Sequence, residues 1–493
     1  MSTPASASPL SVAPLGLPAV EPLDRHRSNP RLDADPAVSS PPTASPRGTA
    51  ALDQILHGPL LATLTRLALP TVVVLFMTTV LSVAETYFVA SLGLSAIAAA
   101  SLVVPVMLLM TTVSNGGIGG GVSSAIARAC GAGRHDDAES LAWHAMVIAV
   151  AAGALFSLAA LAGGPALYRA LGGTGQALEQ AVVYSDILFA GAIVFWALML
   201  MQSALRGAGN VKVPALIMLA SVVVGLVISP ALIKGWLGLP QMGVAGAGVA
   251  QVLCNVGALA AVVAYMRSAK SSLRLRRHPL RRDHFSAILG IGLMSTLSAV
   301  MSNLSITALT AAAGAFGVAA IAGYGIASRL EMLLVPVMFG FGTAVITVVG
   351  TSLGAGNVAR ARRAALVNAL FVAALVEVIG LVVAFAPQWW VGLFTTDAAV
   401  VEVSSHYLRV VAPLYAAIAI TTELYFAGQG AHRIGWPLAA GASRLVFALI
   451  ATVGVLFGQF GLSAAFVLVA TGALVSGLIS LVGFSKVRWG TGS

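Results

Sequence analysis

From Leu60 to the C-terminal end the chain alternates long apolar runs with short polar connections. Each run reaches about 20 residues or more, the length a helix needs to cross the hydrocarbon core of a bilayer. The runs fall at 62–90, 95–125, 139–163, 177–205, 212–234, 242–267, 285–311, 318–350, 363–387, 400–429, 434–457 and 461–484. Several contain Gly or Pro, which neighbouring helices tolerate in lipid. The pattern predicts an all-α polytopic membrane protein with twelve transmembrane helices. Residues 1–58 lack such a run and are rich in Pro, Ser and Ala, so they read as a disordered tail without the apolar core of a signal peptide.

Composition agrees with that pattern. Of 493 residues, 58% are hydrophobic and 9% charged, against about 25% charged in soluble domains. The net charge of +10 does not point to nucleic acid, because the basic residues sit between the apolar runs, where anionic headgroups lie. With the N-terminus taken as cytoplasmic, the inner loops hold Arg128, Arg134, Arg206, Lys212, a dense run from Arg267 to Arg282, Arg360, Arg362, Arg363, Arg433, Lys486 and Arg488. The outer loops offer little beyond Arg169 and Lys234. That asymmetry predicts twelve spans with both termini inside. Cys130 and Cys254 lie in or beside apolar runs and read as small buried hydrophobes rather than metal ligands.

The chain also repeats itself. GAG at 131–133 recurs at 354–356, and RGAGNVKVP at 206–214 recurs at the same offset as QGAHRIGWP at 429–437. The expected organisation is a tail at 1–58, a six-helix lobe at 59–267, a basic linker at 268–284, a second six-helix lobe at 285–486 and a short tail at 487–493. An even number of spans per lobe gives both the same orientation, so a pseudo-twofold axis along the membrane normal is expected.

The segments ETYFVASLG, SSAIARACGAGRHDDAE, ALRGAGNVKVP and MGVAGAGVA in the first half, with YGIASRLEMLLVP, VGTSLGAG and YFAGQGAHR in the second, resemble the multidrug and toxic compound extrusion (MATE) family of secondary transporters. The likeness covers about 60–486. It implies two lobes around a cleft and export of amphipathic, often cationic compounds against inward proton or sodium flow, with no cofactor beyond the coupling ion. It also implies that Glu85 stands where the family carries its first-span acid, and that the family's fifth-span Asn-x-x-x-Asp pair falls on Gly225 and Ser229. A single acid with no nearby second carboxylate favours the proton as coupling ion.

The residues themselves give candidate sites. A carboxylate at membrane depth costs at least ~2.5 kcal/mol to insert, so each one asks for a use. Glu85 and Glu331 are the cation-coupling candidates. Glu377, Glu423, Arg444 and Arg329 are secondary candidates, as acids or ion pairs, with Glu423 and Arg444 a plausible pair on consecutive helices. Phe76, Met77, Met107, Met110, Phe195, Met199 and Asn303 are candidates for a substrate surface, and Gly116, Gly117 and Gly119–Gly121 for a hinge, a cavity wall or close packing. Expected partners are small amphipathic molecules and membrane lipids, with no nucleic acid; a monomer in a bacterial inner membrane is expected. The alternatives are a lipid-linked saccharide flippase of the same superfamily, whose cavities are more cationic, and a polytopic membrane enzyme, for which no loop is long enough to hold a catalytic centre.

Overall fold

The computed structural model describes residues 46–487 and Trp489, and all regular structure among them is helical. Eleven helices are long and apolar enough to cross a membrane: Leu60–Ala90, Leu94–Gly131, His135–Ala170, Lys212–Lys234, Val244–Arg267, Arg282–Gly314, Val318–Gly354, Val358–Phe385, Ala398–Ala431, Gly435–Leu456 and Leu462–Lys486. Gly175–Ala190 and Ala192–Gly207, bent by 48° at Gly191, make the twelfth as one broken span. Numbered in chain order, this pair is the fourth span. With that bent pair counted as one span the number matches the apolar runs, and the helix ends fall within a few residues of most of the run ends.

The tail expected to be disordered needs a correction at its end. Pro46–His57 is a helix, and Ile55 is buried in the apolar core formed mainly by the second half. Arg360 fixes its end by donating from Nε to the Ile55 carbonyl (2.9 Å) and from Nη2 to that of Gly58 (2.7 Å). These carbonyls have no partner within their own helix, so an arginine there completes it. Residues 1–45 of the expected tail lie outside the described residues.

The internal repeat is visible in the packing. In the first half the second span packs on the third and fourth, the third on the fourth, the first on the fifth, and the sixth on the fourth and fifth; the same pairs recur six spans later. One apolar core gathers around Ile126, Tyr168, Phe189 and Leu205, another around Tyr407, Tyr415, Phe426 and Phe466. Between the halves the first span packs on the eighth and, by the same symmetry, the seventh on the second, while the second and eighth meet each other.

Small residues make that central meeting possible. Lipid is as apolar as a leucine side chain, so spans associate through close packing and hydrogen bonds rather than water exclusion. Gly117, Ser124 and Gly131 lie two turns apart on one face of the second span, and Gly340, Thr347 and Gly354 occupy the matching positions of the eighth. A Cβ at Gly131 would collide with the Thr351 carbonyl, and one at Gly354 with the Arg128 carbonyl. Between these glycines, Ser124 Oγ donates to the Gln429 carbonyl (2.6 Å) and Thr347 Oγ1 to the Arg206 carbonyl (3.0 Å). Each bond runs from one half to the other, and the two are related by the repeat. The result is a symmetric clasp at the end of the molecule that carries the basic loops.

Candidate functional site

A cavity of about 400 Å³ opens in the second half, walled by spans seven to twelve and touched by Thr112 and Gly116 of the second. Two local breaks shape it. The second span passes through a π-helical turn at Thr112–Ile118, a rare geometry often found at functional sites. The tenth span breaks at a 3-10 turn, Ala412–Leu414, which contains Pro413. Proline cannot continue the helical ladder, and Glu377 of the ninth span fills the gap by accepting the Ala416 N–H at 2.6 Å. Glu377 thus has a structural use: it caps a helix that restarts inside the protein.

Glu331 lines this cavity from the eighth span and receives the Tyr407 hydroxyl on Oε1 at 2.7 Å. Tyr407 is held in turn by an edge-to-face contact with Tyr324, ring centroids 5.4 Å apart, and by Phe466 at 5.0 Å. Tyr415 and Tyr425 add two more phenols to the wall, and Ser298, Ser302, Ser305, Ser328, Thr421 and Thr422 supply hydroxyls. Arg444 of the eleventh span lines the same space. The cavity is therefore aromatic and apolar in its bulk, with a few polar groups converging in it, as small-molecule sites are.

The expected pair of Glu423 with Arg444 does not form. Glu423 is fully buried away from the cavity, where its Oε2 accepts Asn368 Nδ2 at 2.6 Å, and Arg444 shares the cavity with Glu331 instead. The helical rotation between Glu423 and Tyr425 explains the exchange: two residues along a helix point to different faces, so the tenth span turns Tyr425 to the cavity and Glu423 to the ninth span. Arg329 is exposed and stacks over the Phe394 ring, 5.7 Å from its centroid.

Glu85 lies in the other half, half-buried beside Ser229 of the fifth span, with Tyr184 and Cys254 nearby. Gly225, one turn from Ser229, lets the first and fifth spans approach there: a Cβ on it would stand 3.3 Å from Leu81. The structure thus brings Glu85 to the two positions, Gly225 and Ser229, onto which the resemblance placed the family's partner pair. It keeps Glu85 and Glu331 in separate halves.

The substrate-surface candidates fall elsewhere. Met110 and Met199 are buried in the first half's core, Met107 and Phe195 pack against it, and Phe76 and Met77 are half-buried on the first span outside the cavity. Asn303 also misses it: it bonds to the Ala299 carbonyl, and its neighbour Ser302 faces the cavity. Of the glycines, Gly116 lines the cavity while Gly117, Gly119, Gly120 and Gly121 are seats for neighbouring chain. The tyrosines of spans eight and ten were missed. For the tenth span their signal was present in Tyr407, Tyr415, Thr422 and Tyr425, polar-tipped groups set among its apolar residues.

A two-halved bundle of twelve spans, joined through a symmetric seam and holding an acid in a drug-sized cavity at membrane depth, is the architecture of a secondary transporter. Residues 70–231 and 295–453 match the sequence profile of the MatE family. The chain belongs to that family, and it is a multi-pass membrane transporter rather than an enzyme. It is 26% identical over 402 residues to an FAD transporter of Shewanella oneidensis, covering 80% of this chain and 88% of the relative. It is 24% identical over 381 residues to a probable multidrug resistance protein NorM of Thermotoga maritima, covering 75% and 80%. Among solved structures, an outward-facing multidrug resistance transporter of the MATE family superposes with a TM-score of 0.78 at 25% identity, over 88% of this chain and 96% of that one.

Proposed function

We infer that the protein exports small amphipathic organic compounds, cations among them, in exchange for protons. It works as a monomer in the bacterial plasma membrane with both termini on the cytoplasmic side. The observation that carries this reading is Glu331: a carboxylate at membrane depth on the wall of a cavity of about 400 Å³, held by one phenol. Relatives named for multidrug resistance and for FAD support an organic cargo.

The cycle follows from the clasp and the acids. With the basic end closed, Glu331 and Glu85 take up protons from outside and cargo leaves. The neutralised halves rock, Ser124 and Thr347 release their carbonyl partners, and the cavity opens to the cytoplasm, where protons leave and cargo loads. A proton suits Glu85 better than sodium, because one carboxylate beside the Ser229 hydroxyl, with no second carboxylate beside it among the described residues, is a small oxygen set for a metal ion. Moving one charge through 100 mV is worth about 2.3 kcal/mol, so one proton exchanged for a neutral compound sustains a gradient of roughly fifty-fold. Exchange for a monovalent cation draws on the pH difference alone.

The test is efflux of a fluorescent cation in inverted vesicles under imposed proton or sodium gradients, comparing wild type with Glu85→Gln and Glu331→Gln. Proton-driven transport lost in Glu331→Gln supports the reading. Sodium-dependent, pH-insensitive transport, or full activity in both variants, removes it.

A further inference from the structure

Arg444 differs from the other arginines buried among the spans. Arg206 donates to Asn115 Oδ1 and Ser203 Oγ, both at 2.8 Å. Arg128 pairs with His432 at 2.8 Å. Arg444 sits near the middle of its span and is half-buried in the cavity wall, yet among the described residues it donates to no protein acceptor and has no carboxylate within 4.0 Å. A guanidinium has five N–H donors in a planar fork suited to two oxygens of one acid group, and leaving it without an acceptor at membrane depth is costly. Glu331 shares the cavity without bridging to it, and its Oε2 has no hydrogen-bond donor among the described residues. The same cavity is lined by Tyr324, Tyr415 and Tyr425 with Met338 and Phe339.

We propose that Arg444 is a cargo-binding residue that selects for an acid group, so that the substrate is a zwitterionic aromatic compound rather than a simple lipophilic cation. Its carboxylate lies in the Arg444 fork, its cationic group faces Glu331, and its ring system rests against the tyrosines. This rests on the export reading for its physiological sense, but the binding itself requires no transport.

A matched pair of dyes isolates the claim. Rhodamine 110 carries a free carboxylate, and rhodamine 123 is its methyl ester on the same xanthene cation. Binding is measured by fluorescence anisotropy on the purified full chain in detergent, without any gradient. Wild type is expected to bind rhodamine 110 about tenfold more tightly, the size of one charge-assisted hydrogen-bonded contact. Arg444→Gln closes that gap to within about twofold while leaving rhodamine 123 binding in place, and Arg444→Lys keeps part of it because the charge remains without the fork. No preference in wild type overturns the proposal, as does an equal loss of both dyes in Arg444→Gln, which marks a structural role. Should Arg444→Gln fail to yield monodisperse protein, Arg444→Lys decides: a preference smaller than that of wild type supports the proposal, and an unchanged preference or an equal loss of both dyes overturns it. Dye preference without export would remove the export reading alone, and export without dye preference would remove this one alone.

Discussion

At the scale of single residues, Glu331 depends on one neighbour. Tyr407→Phe deletes the hydroxyl that reaches Oε1, and a hydrogen bond to a charged group is worth about 1.5–3 kcal/mol. Export by the variant is expected to fall roughly tenfold or more with the fold intact, measured as initial efflux rate. Undiminished export would show that the phenol does not position the acid. His432 gives a second test, at the turn after the tenth span. It adopts φ 58° and accepts from Arg128 across the seam, and burial together with that guanidinium pushes its pKa down to about 4. The unfolded chain takes up this proton near about pH 6.5, so between that value and about 4 it binds more protons than the native state. Stability therefore rises with pH through the window and is lost as pH falls towards 4. The melting midpoint of purified protein should drop as pH falls through that range, and His432→Gln should flatten the slope. An unchanged slope would place the sensitivity elsewhere. Glu85 and Glu331 were legible in the sequence because charge in an oily run is conspicuous. The cavity lining was less so: methionines at Met110 and Met199 look like adaptable surface until their neighbours are known, and those neighbours bury them.

At the scale of elements, run length and loop charge determine the spans almost fully, since the bilayer requires both. The breaks were harder to read. Pro413 marks the interruption of the tenth span in the sequence, but its remedy, Glu377, lies on another helix. Glu377→Leu removes the acceptor for the Ala416 N–H and leaves a partly buried donor unpaired, a loss of about 1 kcal/mol that should appear as a lower melting midpoint. Glu377→Gln, which keeps an acceptor oxygen, should recover most of it; if both variants melt like wild type, Glu377 is not the cap. The seam glycines give a sharper prediction. Any side chain at Gly354 meets the Arg128 carbonyl, and overpacking of a tight contact costs about 1–3 kcal/mol. Gly354→Val should hold the basic end open, raising maleimide labelling of a cysteine introduced at Thr351. Labelling equal to that in the wild-type background would mean that the closure does not depend on this contact. The GAG repeat announced both glycines, though not that each rests on the opposite half.

At the scale of the whole molecule, duplication accounts for the arrangement: every pairing in the first six spans returns in the last six, and the clasp joins the halves through equivalent residues. The repeat was readable from two short motifs, but the functional asymmetry was not. The cavity lies in the second half, where Glu331 and Arg444 stand at positions that the first half fills with Leu108 and Ser221 while Tyr407 repeats Tyr184, a difference made by side chains from three spans that only the fold brings together. The central claim is that cargo and proton exchange through Glu331. It is tested most directly in proteoliposomes containing the purified protein and a lumenal pH-sensitive dye, with the membrane potential clamped. Adding cargo to the side from which it is transported should drive a counterflow of protons in wild type, seen as a lumenal pH change that is absent in Glu331→Gln. Proton counterflow of wild-type size in Glu331→Gln, or cargo movement in wild type without any pH change, would contradict the account.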